Sequence, residues 1–156
     1  MTVAPALVMR YAVASIVAFT LLATFAIGCS SDPTSPSASA GATTITAGQT
    51  AGNWTLLSMQ PTGHAEQTVP TGASYELTLA DGRVSTKADC NVCDGSLVFA
   101  GPTLMIGPML ACTRAACPTM DFGNTYVAIL EGDSTPRIDG NVLTLTSSRG
   151  VIRFRR

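Results

Sequence analysis

The sequence predicts a mainly β (α+β) domain: a small antiparallel sheet of about seven or eight strands, curled toward a barrel, with one helix near 118–131. Three observations carry that expectation. Apolar alternation with a period of two recurs between Trp54 and Phe154, clusters of Gly, Pro, Asn and Asp punctuate it, and a single segment shifts to the helical period. Lys plus Arg number nine against ten Asp plus Glu, and only 12% of residues are charged. That balance offers no basic patch for phosphates, which argues against a nucleic-acid partner, and it excludes a highly charged disordered chain.

The strand segments, in order, are Trp54 to Met59, Tyr75 to Leu79, Arg83 to Ala88, Ser96 to Phe99, Thr103 to Ile106, Val142 to Thr146 and Val151 to Phe154. Tyr75, Leu77 and Leu79 fall on one face while Glu76 and Thr78 fall on the other; Ile152 and Phe154 oppose Arg153 and Arg155 in the same way. Asp81-Gly82, Gly101-Pro102 and Asp139-Gly140-Asn141 read as hairpin turns. Phe122, Tyr126, Ile129 and Leu130 stand at helical spacing, with Pro118 before and Gly132 after, which predicts the helix and leaves Gly123 as its weak point. Laid over an opening of the curled sheet, that helix buries both apolar stripes. Residues 51–156 thus support one domain with one core.

The N-terminal part reads differently. Arg10 precedes an apolar run from Tyr11 to Ile27 whose hydroxyl interruptions are Ser15, Thr20 and Thr24, a signal-peptide or membrane-anchor pattern. As a helix the run spans roughly 25 Å, the bottom of the transmembrane range, so its exit decides the reading. Ala26-Ile27-Gly28-Cys29 resembles the lipobox of bacterial lipoproteins, in which the cysteine is acylated and becomes the new N-terminus. Residues 1–28 are therefore expected to be a lipoprotein signal peptide and Cys29 the lipid-bearing residue, placing the chain in a bacterial cell envelope. Ser30 stands where an Asp signals inner-membrane retention, so the expected location is the periplasmic face of the outer membrane in a diderm host, or otherwise the outer face of the cell membrane. Residues 29–50 are expected to be a flexible linker: from Ser30 to Gln49, seventeen of twenty residues are Ser, Thr, Pro, Ala or Gly. A coil of that length reaches roughly 25 Å.

Inside the domain, Cys90, Cys93, Cys112 and Cys117 have the spacing C-x2-C-x18-C-x4-C. Alone, the pattern resembles an all-cysteine zinc site. Behind an export signal the thiols meet an oxidising compartment, where an even number in a small domain forms bridges. Of three connectivities, Cys90 with Cys117 and Cys93 with Cys112 is the nested one that two antiparallel segments require, its residue sums, 207 and 205, being nearly constant. Spacings of three and five put successive cysteines on opposite faces of an ideal strand, so a bulge or turn is expected within Cys90-Asn91-Val92-Cys93 and irregularity between Cys112 and Cys117.

The string W-T-L at Trp54, GRVSTKADCNVCDGS from Gly82 to Ser96, LMIGPML from Leu104 to Leu110, TRAACP from Thr113 to Pro118 and the closing LTLTSSRGVIRFRR resemble the META domain, also called HslJ-like. The resemblance covers essentially all of residues 51–156. It implies a small lipocalin-like fold on secreted or envelope-anchored bacterial proteins linked to stress tolerance, antibiotic resistance or motility, with no established reaction. The family's cysteine pair maps to Cys90 and Cys117, and its flanking motif positions map to Asn91, Gly95, Thr113 and Arg114. Cys93 and Cys112 depart from the family pattern together, as a second bridge requires, and Ala88-Asp89 replaces its small or glycine-rich lead into the cysteine.

Residue chemistry adds no catalytic constellation. His64 is the sole histidine and reads as a solvated loop residue; Asp89 and Asp94 read as solvated turn carboxylates. Arg114, held between cysteines, reads as an anion contact, as an arginine satisfying carbonyls at a barrel end, or as a partner for Asp89 or Asp94. The expectation is a monomeric, membrane-anchored, non-enzymatic envelope protein needing no cofactor or metal, whose stapled domain binds a protein or small ligand in a stress-related or homeostatic role. Two other readings remain open: a barrel that encloses a small ligand, and a thiol-disulfide oxidoreductase using Cys90 and Cys93.

Overall fold

A computed structural model describes residues 45–156. The signal peptide expected over 1–28, the lipid site Cys29 and all but the last six residues of the linker lie outside the described residues. Those six are not linker-like in structure: Ala47–Thr50 forms a helical turn, α1, whose Thr50 is fully buried. The cause is Trp54, whose buried indole N–H needs an acceptor and donates to the Thr50 carbonyl at 2.8 Å.

Ten strands follow: β1 (Gly52–Pro61), β2 (Gln67–Thr68), β3 (Tyr75–Ala80), β4 (Arg83–Ala88), β5 (Asn91–Ala100), β6 (Thr103–Ile106), β7 (Ala111–Cys112), β8 (Gly132–Asp139), β9 (Val142–Ser147) and β10 (Gly150–Arg155). Eight of them run β1-β3-β4-β5-β6-β8-β9-β10 and return to β1, closing an antiparallel barrel; β2 adds to β1 and β7 to β5. Closure leaves the barrel without a long open edge. Hairpins set the register. Ala80 pairs with Arg83 across Asp81 (φ +50°) and Gly82 (φ +72°), the two positive-φ positions of a type I′ turn.

The closing seam between β1 and β10 depends on two local devices. A bulge between Leu56 and Ser58 lets Trp54, Leu56 and Met59 all face inward although their spacing breaks the period of two, leaving Leu57 partly exposed. Gly150 faces Pro61 so closely that a Cβ there would overlap the Gln60 carbonyl oxygen. The bulge also buries Ser58, whose hydroxyl donates to Glu66 at 2.6 Å, while Arg153 donates to the same carboxylate oxygen at 2.7 Å. The Ser58 bond and then the Arg153 charge hold the Glu66 carboxyl below its ordinary range.

The helix, α2, spans Met120–Leu130 rather than 118–131. It touches β10, β1 and β4, strands on different sides of the barrel, and so lies across an opening. Tyr126 projects inward, its ring edge-on to Tyr75 (5.4 Å) and Phe154 (6.2 Å). Its hydroxyl lies 2.7 Å from Thr86 Oγ1; since the one Thr86 proton goes to the Glu76 carbonyl (2.7 Å), Tyr126 is the donor. With Trp54, Tyr75, Tyr126, Phe154, Leu77, Leu104, Leu143 and Ile152 at most 1% exposed, side chains fill the interior.

Three strands escape the sequence reading. β2 and β7 are two residues each, too short for any period. β8 turns Ser134 and Pro136 inward where apolar residues would mark a strand. Pro136 is tolerated because β6 pairs β8 only from Gly132 to Ser134, so beyond Ser134 one side of β8 needs no donor.

Two predictions follow from this packing. A Cβ on Gly123 would make ordinary contact with the Tyr75 hydroxyl (3.5 Å), so Gly123→Ala is expected to raise unfolding stability by about 0.5–1 kcal/mol, whereas Gly150→Ala lowers it by at least ~2 kcal/mol, both measured by urea denaturation. Burial favours the neutral phenol of Tyr126 and raises its pKa above the ordinary 10.0. The stability this confers is complete below that pH and is lost as pH rises beyond it, because the unfolded chain ionises first. Circular dichroism between pH 9 and 12 should show that decline, and Tyr126→Phe should flatten it.

Candidate functional site

The four domain cysteines and the family-motif positions meet at one end of β5. Ala88 pairs with Asn91, leaving Asp89-Cys90 as a two-residue turn. Asp89 sits at φ +60°, the conformation that a glycine lead would supply at no cost. Its side chain compensates. Asp89 Oδ2 accepts from the Thr119 hydroxyl (2.7 Å) and the Thr119 backbone N–H (3.2 Å), at the N-terminal boundary of α2. Because the Thr119 proton goes to Asp89, Thr119 Oγ1 accepts from the Tyr75 hydroxyl at 2.7 Å, giving a directed chain from Tyr75 through Thr119 to Asp89. Burial first, and the Asp89 charge after it, raise the Tyr75 pKa against the opposing effect of the Thr119 bond. Thr119 therefore does not cap α2 with its own side chain, and the helix starts at Met120.

Asn91 binds the returning segment. Its Oδ1 accepts from the Thr113 hydroxyl (3.0 Å) and the Ala115 N–H (2.7 Å), and its Nδ2 donates to the Ala115 carbonyl (3.1 Å) and to Cys117 Sγ (3.0 Å). Since Ala115 N–H can only donate, the atom it meets must be the amide oxygen, and the amide orientation is fixed. Thr113 Oγ1 also accepts from Val92 N–H, and Thr113 N–H donates to the Val92 carbonyl. One asparagine thus replaces a strand ladder along 113–117.

Two disulfides join the same segments: Cys90 to Cys117 and Cys93 to Cys112. Cys93 and Cys112 are directly paired residues of β5 and β7, and Cys90 lies in the turn, which removes it from the face alternation that the spacing violates. Cys90 is exposed, Cys117 is 7% exposed and Cys93 is 1% exposed. Closing the outer loop, whose ends are 27 residues apart, stabilises the fold by about 3–4 kcal/mol on the chain-entropy model.

A cleft of about 260 Å³ opens between α2 and this stapled patch, lined by Asn91, Thr113, Thr119, Met120, Asn124 and Glu131 among others, with Cys93, Cys112 and Cys117 in its wall. Glu131, following α2, is partly buried and accepts from the Leu110 N–H at 2.8 Å. That bond holds Leu110 over Gly95, where a Cβ would lie 2.5 Å from Leu110 Cδ2. Gly95 is thus the seat of the Leu110 side chain.

The motif positions Asn91, Gly95 and Thr113 lie at this site, and Glu131 and Thr119, which no sequence motif marks, join them there. Asp89 needs correction: it is not a solvated carboxylate but an acceptor for both Thr119 donors. Its signal was present, a non-glycine residue in a two-residue hairpin turn. Asp94, Arg114 and His64 are exposed, and Arg114 pairs with neither Asp89 nor Asp94. Among the described residues, no group of three His, Cys, Asp or Glu is placed to hold a metal ion, and the one ion pair is Arg153 with Glu66.

The family model described as META domain matches residues 46–156, beginning at α1. No curated protein matches the chain. An NMR structure of a protein from Burkholderia xenovorans is similar at TM-score 0.56 and 23% identity, covering 67% of this chain and 80% of that one. A second NMR structure is similar at TM-score 0.55 and 18% identity, covering 71% and 94%. At these identities the likeness is one of fold.

The Asp89 geometry makes a graded prediction. Asp89→Ala loses the Thr119 acceptor and keeps the unfavourable φ, while Asp89→Gly loses only the acceptor, so the alanine variant is expected to be less stable than the glycine variant by about 1 kcal/mol in urea unfolding. Arg114→Ala should change stability by less than about 0.5 kcal/mol.

Proposed function

The chain belongs to the META domain family, and from that premise we propose that it is an envelope lipoprotein, held to the membrane through an acylated Cys29, whose stapled domain acts as a non-enzymatic binding module in envelope homeostasis or stress. The observation that carries this reading is the pairing of all four domain cysteines, Cys90 with Cys117 and Cys93 with Cys112. Paired bridges in a small domain belong to an oxidising compartment, and the apolar run ending at Gly28-Cys29 supplies a route there. The binding face we assign is the cleft beside α2, because two bridges and the Asn91 clamp hold its wall in one geometry before any partner arrives.

The filled interior speaks against a ligand-enclosing barrel; a small ligand would be taken in the outer cleft instead. Cys90 and Cys93 are bonded to different partners, which speaks against their acting as one dithiol couple. The test of the anchor is intact-mass analysis of the membrane fraction after feeding a fatty-acid analogue. A labelled chain beginning at Cys29 is expected, and an unlabelled chain retaining Met1 contradicts the proposal.

A further inference from the structure

We propose that the Cys90–Cys117 bridge is a directed thiol-exchange site: an external thiolate attacks Cys90, Cys117 leaves, and Asn91 stabilises the departing sulfur. The exposure of the two cysteines and the bonding of the Asn91 amide assign these roles. Cys90 lies in an exposed turn, whereas Cys117 is 7% exposed, so only one sulfur of the bridge belongs to an accessible residue. Asn91 Nδ2 donates to Cys117 Sγ at 3.0 Å, on the sulfur that must accept negative charge. That amide cannot rotate away, because its oxygen is held by the Thr113 hydroxyl and the Ala115 N–H.

The exchange balances without a further oxidant. The incoming thiolate forms a bond to Cys90 Sγ, the bond between Cys90 and Cys117 breaks, and its electron pair leaves on Cys117 Sγ as a thiolate. A hydrogen bond donated to sulfur is stronger when the sulfur is charged, so Asn91 lowers the energy of the leaving group more than that of the closed bridge. The co-reactant is any thiolate able to reach the turn, either a low-molecular-weight thiol or the exposed cysteine of a reductase. The product is a mixed disulfide on Cys90, reversed when Cys117 attacks it. The second bridge lacks this asymmetry in favour of attack: Cys93 is 1% exposed and Cys112 is partly buried. This assignment shares with the proposed function only the closed bridges; it does not depend on the lipid anchor.

The experiment treats the oxidised full chain with reduced glutathione at pH 7.5, quenches with N-ethylmaleimide and maps the peptides. Glutathione on Cys90 with maleimide on Cys117, while Cys93–Cys112 stays closed, is expected; glutathione on Cys117, or opening of both bridges at one rate, overturns the proposal. Asn91→Asp keeps an oxygen for the Thr113 hydroxyl and the Ala115 N–H but replaces the donor to Cys117 Sγ and the Ala115 carbonyl with a charged oxygen, and by donor loss and repulsion together should slow adduct formation at least roughly tenfold. An unchanged rate in a variant whose circular dichroism is native overturns the role of Asn91. Should that variant fail to fold, the position of the adduct in the unaltered chain decides the proposal. To separate the two thiol sources, a reductase of the thioredoxin type replaces glutathione in a parallel reaction, and the faster one at equal thiolate concentration identifies the co-reactant.

Discussion

The structure around the candidate site depends on one asparagine side chain that joins the start of β5 to a returning segment, 113–117, too short to pair with it as a strand. Residues 113–117 are short and irregular, so their backbone groups would otherwise compete for water. Asn91 supplies an acceptor and a donor to Ala115, fixes Thr113 and reaches the Cys117 sulfur. The two bridges lie on either side of this clamp, one in the turn and one between β5 and β7. Covalent closure and polar satisfaction thus hold the same few residues, and the cleft wall is built from them.

Barrel and site are coupled through the entry to α2. Tyr75 belongs to the inner wall of β3, yet its hydroxyl continues through Thr119 to Asp89 in the turn before Cys90. Tyr126, from the same helix, fills the interior and donates to Thr86. A displacement of α2 would therefore cost aromatic packing in the core and would also remove both donors from the Asp89 carboxylate. That shared dependence makes the site a rigid feature of the fold.

Much of this was legible in the sequence, for physical reasons. Tyr75, Leu77 and Leu79 alternate cleanly because β3 is paired on both sides and half-wet. The nested cysteine pairing follows from antiparallel register, and Cys93 does sit opposite Cys112. What stayed hidden was set by tertiary context. β8 carries Ser134 and Pro136 inward, so no hydrophobic period marks it. Asp89 looks like an ordinary turn residue until Thr119, thirty positions later, is brought to its carboxylate. Glu131 gains its role only because Leu110 folds over Gly95. The start of the domain was also hidden, since nothing in Ala47–Thr50 signals that Trp54 will draw it into the core.

Sulfur pairing between the β4–β5 turn, β5 and the segment ending at Cys117 closes covalently the same segments that Asn91 clamps. Peptide mapping of the natively expressed protein, alkylated before any reductant is added, measures that pairing directly. The account predicts cross-linked peptides joining Cys90 to Cys117 and Cys93 to Cys112. Four alkylated cysteines, or a local link between Cys90 and Cys93, would contradict it.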